Sequence, residues 1–114
     1  TEIRGVTYRV FANVPPNLRA LMQASREAQG NGAAEYLVFQ DERWTYDEFC
    51  HETNQMAQAL KQELGVQPGD HVAIAMGNLP ELPILMMAIA SIGGVVVFLN
   101  ARWTSEELEY ALTD

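Results

Sequence analysis

Few side chains in this sequence can do chemistry. His51 and His71 are the only histidines, and Cys50 is the only cysteine. A transition-metal site needs three or four convergent N, S or O ligands. Cys50 and His51 are adjacent, and neighbours on a helix point in different directions, so they make a poor chelate. No metal site is expected; His51 reads as a solvated helix residue and Cys50, on an apolar stripe, as a buried and inert thiol. The acid pairs Asp47-Glu48 and Glu106-Glu107 fall at predicted helix starts, where carboxylates complement the dipole rather than work as general acid and base. Met76-Gly77-Asn78 lies between a strand and a helix N-terminus, where backbone amides can hold an anion. One glycine is too few for a dinucleotide fingerprint, and no Walker lysine follows. The plainer account is that Asn78 caps the helix. No serine sits in a nucleophile-elbow context, so no catalytic residue is expected in this stretch of chain.

The elements that position these residues are organised around 69–100, which reads as strand, helix, strand with almost no charge inside. The apolar run 72–76 predicts a strand buried on both faces. Residues 82–92 are apolar nearly all round, which predicts a helix covered on more than one side. Gly93-Gly94 stop it, and 95–99 is β-branched and aromatic, a second strand. Two parallel strands bridged by a helix satisfy this order. A competing reading exists, because 82–101 carries no charge and such a run is a transmembrane candidate. Pro83, the Gly93-Gly94 break and the β-branched switch argue against one continuous span.

Around that centre, residues 1–14 read as an irregular lead-in. Pro15-Pro16 predict a helix start, with an amphipathic helix over 16–29 whose face holds Leu18, Leu21, Met22 and Ser25. Residues 36–39 and 43–45 predict a β-hairpin around a polar turn. Thr45 and Glu48 form a capping-box signature, and Trp44 with Phe49 a hydrophobic staple, opening a helix with the stripe Tyr46, Phe49, Cys50, Thr53, Met56, Ala57, Leu60 and Leu64. Gly65 ends it. Residues 103–108 repeat the layout of 44–49, which two helices capped by the same physics explain as well as an internal repeat does. A last helix is expected over 105–113. Strands alternating with helices predict an α/β fold: a partial three-layer αβα arrangement, with a parallel-core sheet, helices and a β-hairpin. The sheet looks unfinished, and its bare edge predicts pairing, covering or homo-oligomer formation.

Composition narrows the function classes. The chain has 114 residues and a net charge of −8, from 15 acidic and 7 basic side chains. With no basic run to neutralise phosphates, nucleic-acid binding and anionic membrane surfaces are disfavoured. A single cysteine allows no internal disulfide, and no signal-peptide core appears at the N-terminus, so a soluble, cytoplasmic protein is expected.

Several stretches carry a family resemblance in combination. They are Trp44-Thr45-Tyr46-Asp47-Glu48-Phe49; Leu64-Gly65-Val66-Gln67-Pro68-Gly69-Asp70-His71-Val72-Ala73-Ile74; Asn78, Pro80 and Glu81; and Ile92 through Asn100. Together they resemble the adenylate-forming (AMP-binding) superfamily of acyl-CoA synthetases, luciferases and peptide-synthetase adenylation domains. The Leu99-Asn100 ending leans toward acyl-CoA ligases, with fatty-acyl synthetases most alike. Phe98 and Gly94 depart from the usual proline and alanine. The resemblance implies that 15–114 is the N-terminal fragment of an adenylation domain in a longer enzyme. That parent would use ATP, Mg²⁺ and CoA to turn a carboxylic (fatty) acid into an acyl-adenylate and then a thioester. The phosphate loop, nucleotide contacts and C-terminal lysine would lie in the remainder of the polypeptide, leaving this piece inactive and binding no cofactor alone. The resemblance also implies one ligand contact, a CoA-proximal turn at Asn100, Ala101 and Arg102, with Arg102 meeting a phosphate. A free-standing α/β binding or interaction module without catalysis is the alternative.

Overall fold

A computed structural model describes residues 1–113. The fold is of mixed α/β class, with a parallel strand pair at its centre. Strands are β1 (Glu2–Ile3), β2 (Val6–Thr7), β3 (Glu35–Phe39), β4 (Glu42–Thr45), β5 (His71–Ile74) and β6 (Val95–Phe98). Helices are α1 (Leu18–Ala28), α2 (Tyr46–Gln62), α3 (Glu81–Ser91) and α4 (Ser105–Thr113). Asp114, the last residue of the expected 15–114 unit, lies outside the described residues.

The parallel pair forms as the pattern predicts. Val72 lies opposite Val96 and Ile74 opposite Phe98. Gly69 N–H donates to Gly93 O and Val95 N–H to Asp70 O, each at 2.8 Å, which ties the turn before β5 to the end of α3. The uncharged run is therefore an 11-residue helix, a glycine break and a strand. Among the described residues, no helix is long and apolar enough to cross a membrane.

The core runs along α3. Toward the sheet, Ala88 and Ile89 pack with Ala57 and Leu60 of α2 and Ile74 of β5. Toward the hairpin, Ile84 and Met87 pack with Phe49 of α2. Only Glu81 of α3 is exposed, so the all-round apolar composition is matched by all-round cover. The strands differ from the expectation of two buried faces: His71, Ala73 and Val95 are exposed, and Phe98 is 55% exposed. Helices cover one face of this two-stranded pair; β5 alternates exposed and covered side chains, whereas β6 is exposed at its two ends, Val95 and Phe98.

Local signals decide the helix ends, though not always the ones the sequence favours. Thr45 and Glu48 complete their capping box: Glu48 N–H donates to Thr45 Oγ1 at 3.2 Å, and Thr45 N–H to Glu48 Oε2 at 2.8 Å. Thr104 and Glu107 repeat it at 3.3 and 2.7 Å, and α4 spans the expected residues. The staple is realised differently. Tyr36 of the hairpin lies over Phe49, with ring centroids 4.3 Å apart, and Trp44 stands outside that cluster. At α1 the start falls two residues later than Pro16, because Asn17 Oδ1 accepts from Ala20 N–H at 2.8 Å and supplies the cap. The face of α1 is also thinner than predicted, since Leu18 and Leu21 are each 47% exposed. At α3 Pro80 takes the N-cap position with no side-chain cap bond, so the expected capping by Asn78 does not occur. Within the lead-in, β1 and β2 pair around Arg4-Gly5, both at positive φ (52° and 78°), so 1–14 is not wholly irregular.

Candidate functional site

Because β5 and β6 are parallel, the turns that follow them emerge at the same end of the sheet. In open α/β sheets ligands bind in the crevice beyond the carboxyl ends of the strands. One turn is 99–104. Leu99 N–H donates to Ile74 O at 2.9 Å, carrying the β6 backbone one residue beyond the ladder. Asn100 Oδ1 then accepts from Arg102 N–H at 3.0 Å, and Asn100 O from Trp103 N–H at 3.0 Å. The Asn100 side chain thus shapes the turn and leaves Arg102 projecting from a fixed backbone. Asn100, Ala101 and Arg102 are all exposed. Among the described residues Arg102 has no carboxylate within ion-pair distance. A planar guanidinium so placed suits a phosphate oxygen.

The other turn holds Gly77 and Asn78, both exposed. Leu79 N–H donates to Gly77 O at 2.8 Å, and Leu82 N–H to Leu79 O at 3.0 Å. Backbone bonds therefore organise the approach to α3, and no polar side chain converges there.

The remaining reactive groups have structural work. His51 Nε2 lies 2.9 Å from Gln55 Nε2, one helical turn on. His71 is exposed at the start of β5. Among the described residues, no three His, Cys, Asp or Glu side chains gather to hold a metal. Thr45's backbone N–H and hydroxyl hold the Glu48 carboxyl below its ordinary value of 4.5. The partner of Asp47 is one that sequence reasoning missed: Arg26 of α1 forms an ion pair with it, and the Asp47 hydrogen bond and charge raise the Arg26 pKa further. Nothing local signals this pair, because its members are 21 residues apart.

Glu48 makes a pH prediction. Its carboxyl titrates lower in the folded chain than in the unfolded one, so its contribution is present above the ordinary carboxylate range. It is lost as pH falls through the depressed folded value. Glu48→Gln keeps an acceptor at N3 but cannot titrate. The difference in urea midpoint between neutral pH and about pH 3 is expected to shrink in that variant.

A groove of about 650 Å³ opens between α1, α2 and α3, lined among others by Arg26, Asp47, Cys50, Thr53 and the two methionines Met22 and Met87. Burial pushes the Cys50 thiol up, away from the reactive thiolate. Thr53 Oγ1 is sealed from solvent with no hydrogen-bond partner. These groups do not form a nucleophile–base pair.

The profile described as "AMP-binding enzyme" matches residues 10–114. The acyl-CoA ligase SID4 of Ajellomyces capsulatus is 37% identical over 71 residues, 62% of this chain and 12% of that protein. The N-terminal domain of FACL13 from Mycobacterium tuberculosis superposes with a TM-score of 0.77 at 27% identity, covering 85% of this chain and 24% of that one. The anthranilate CoA ligase AuaEII, solved with anthranoyl-AMP, gives 0.75 at 26% identity, covering 84% and 18%. The chain spans 12 to 16% of the length of curated relatives that it matches.

Proposed function

The chain belongs to the AMP-binding enzyme family, and from that premise we propose that it is the N-terminal structural portion of an ATP-dependent acid–CoA ligase. In the whole enzyme a carboxylate would attack the α-phosphorus of ATP, releasing pyrophosphate, and the CoA thiol would then displace AMP from the acyl-adenylate. Mg²⁺ would be held by residues elsewhere in the polypeptide. This portion contributes the parallel pair and its covering helices, and is inactive by itself. The observation that carries the reading is the family match over 10–114, joined to a fold in which Glu48 is spent on a helix cap and Asp47 on an ion pair. Support for a thioester product comes from relatives named as CoA ligases. They differ in acid, one of them acting on anthranilate, and a fatty acid is our choice of substrate class from the Leu99-Asn100 ending.

Arg102 is proposed to touch a phosphate of CoA from the turn after β6, and the enzyme to work in the cytoplasm. The open edges of β5 and β6 are proposed to be paired by further strands of the same polypeptide; without those strands, copies of this chain self-associate.

The test has two arms. ATP–pyrophosphate exchange with residues 1–114 alone should show no acid-dependent signal, and measurable exchange would overturn the scaffold reading. In the full-length enzyme Arg102→Ala should raise KM for CoA several-fold, as expected for one charge-assisted hydrogen bond with a net worth of about 1.5–3 kcal/mol, and less at an exposed site. Exchange, which precedes CoA, should be unchanged; an equal loss in exchange would remove Arg102 from the CoA contact.

A further inference from the structure

Four of the five methionines gather at one place. Met22 of α1, Met56 of α2, and Met86 and Met87 of α3 surround Phe49 and Ile84. Met22 has a particular position among them. No residue of α1 is fully buried, Leu18 and Leu21 are half exposed, and Met22 is its large apolar side chain packed into that cluster. Met22 and Met87 both line the groove of about 650 Å³, but Met22 is partly open to solvent, so small solutes reach it, whereas Met87 is only 6% exposed.

We propose that Met22 is an oxidation-sensitive latch that holds α1 on α2 and α3 and is released by peroxide. The thioether sulfur donates a lone pair to one peroxide oxygen. The O–O bond breaks, a sulfoxide S–O bond forms, and the other oxygen leaves as water. Sulfur loses two electrons and peroxide gains them, with no further reductant or oxidant. The product is a polar group facing Phe49, Ile84 and Met87, where an unpaired oxygen is costly. With Met22 expelled, α1 keeps the exposed Arg26–Asp47 ion pair, and pairs of that kind contribute little. The competing nucleophile in the groove is Cys50, whose raised pKa keeps it protonated and slow toward peroxide, while a thioether has no proton to lose. The inference does not depend on the ligase reading.

The test uses the full natural chain treated with hydrogen peroxide, with sulfoxides located by peptide mass spectrometry and opening followed by amide hydrogen exchange. Met22 should oxidise before Met87. Exchange across residues 18–28 should then rise roughly tenfold and return after methionine sulfoxide reductase. Met22→Leu, which conserves volume, should keep α1 protected and abolish the response. Met22→Gln should loosen α1 without peroxide. The proposal falls if Met22 stays reduced until Met87 is oxidised, if α1 exchange is unchanged once Met22 is a sulfoxide, or if Met22→Leu responds like the parent.

Discussion

Phe49→Ala is expected to destabilise the fold by about 3–5 kcal/mol, the range for truncating a fully buried aromatic. Phe49 is 0% exposed and joins four elements: Ile84 and Met87 of α3, Met22 of α1, Tyr36 and Leu37 of β3, and α2 itself. The Tyr36 ring, tilted 48° to it, adds an aromatic contact beyond simple burial. A domain of this size is typically stable by about 5–15 kcal/mol, so the substitution removes roughly a fifth of the margin at the least and all of it at the most. Two comparisons make the result diagnostic. Phe49→Leu refills most of the volume and should cost well under half as much. Leu64→Ala, seven-tenths exposed although it falls on the same predicted stripe, should lie within about 0.5 kcal/mol of the parent. Urea midpoints at constant m-value are the measurement. Similar values for Phe49→Ala and Leu64→Ala would mean that the hairpin–α2–α3 cluster is not a cooperative core.

Leu64 also shows how far periodicity reaches. A helical stripe says which residues share a face, but it cannot say where the helix stops. α2 ends at Gln62, Gly65 follows at φ 70°, and Leu64 is carried off the core. What was legible in the sequence is what short range decides: both capping boxes, the hairpin, the parallel pair and the extent of α4. The misses fall where two local candidates compete or a distant element intervenes. Asn17 outcompetes the proline pair at α1, because a side-chain acceptor satisfies an amide that a proline merely lacks. At α3, Pro80 takes the cap position and Asn78 stays in the turn before it. The strands looked buried on both faces because their composition suits a sheet covered twice, and the two-stranded pair is covered once. The site was less legible than the fold. Its residues follow from resemblance, and the parallel pairing adds that both post-strand turns share one end. The Arg26–Asp47 link had no sequence signal at all.

That link explains why Gly32→Ala should cost more than the same change two residues earlier. Gly32 is buried at φ 96°, where its N–H donates to Arg26 O at 3.2 Å and its carbonyl accepts from Asp47 N–H at 3.1 Å. It joins the end of α1 to the start of α2. A Cβ there would sit inside the Asp47 carboxylate, which Arg26 holds in place. Gly30, also at positive φ (73°), has nothing within 4 Å of such a Cβ. Gly30→Ala therefore reports backbone strain alone, about 1–2 kcal/mol. Gly32→Ala adds the overlap and loss of the Arg26–Asp47 geometry, for about 2–4 kcal/mol in total. The two causes separate in a double-mutant cycle. In an Asp47→Ala background the overlap is gone, so Gly32→Ala should fall back to the Gly30→Ala value. If its cost in that background is undiminished, the strain lies in the backbone, and Asp47 does not explain why glycine occupies position 32.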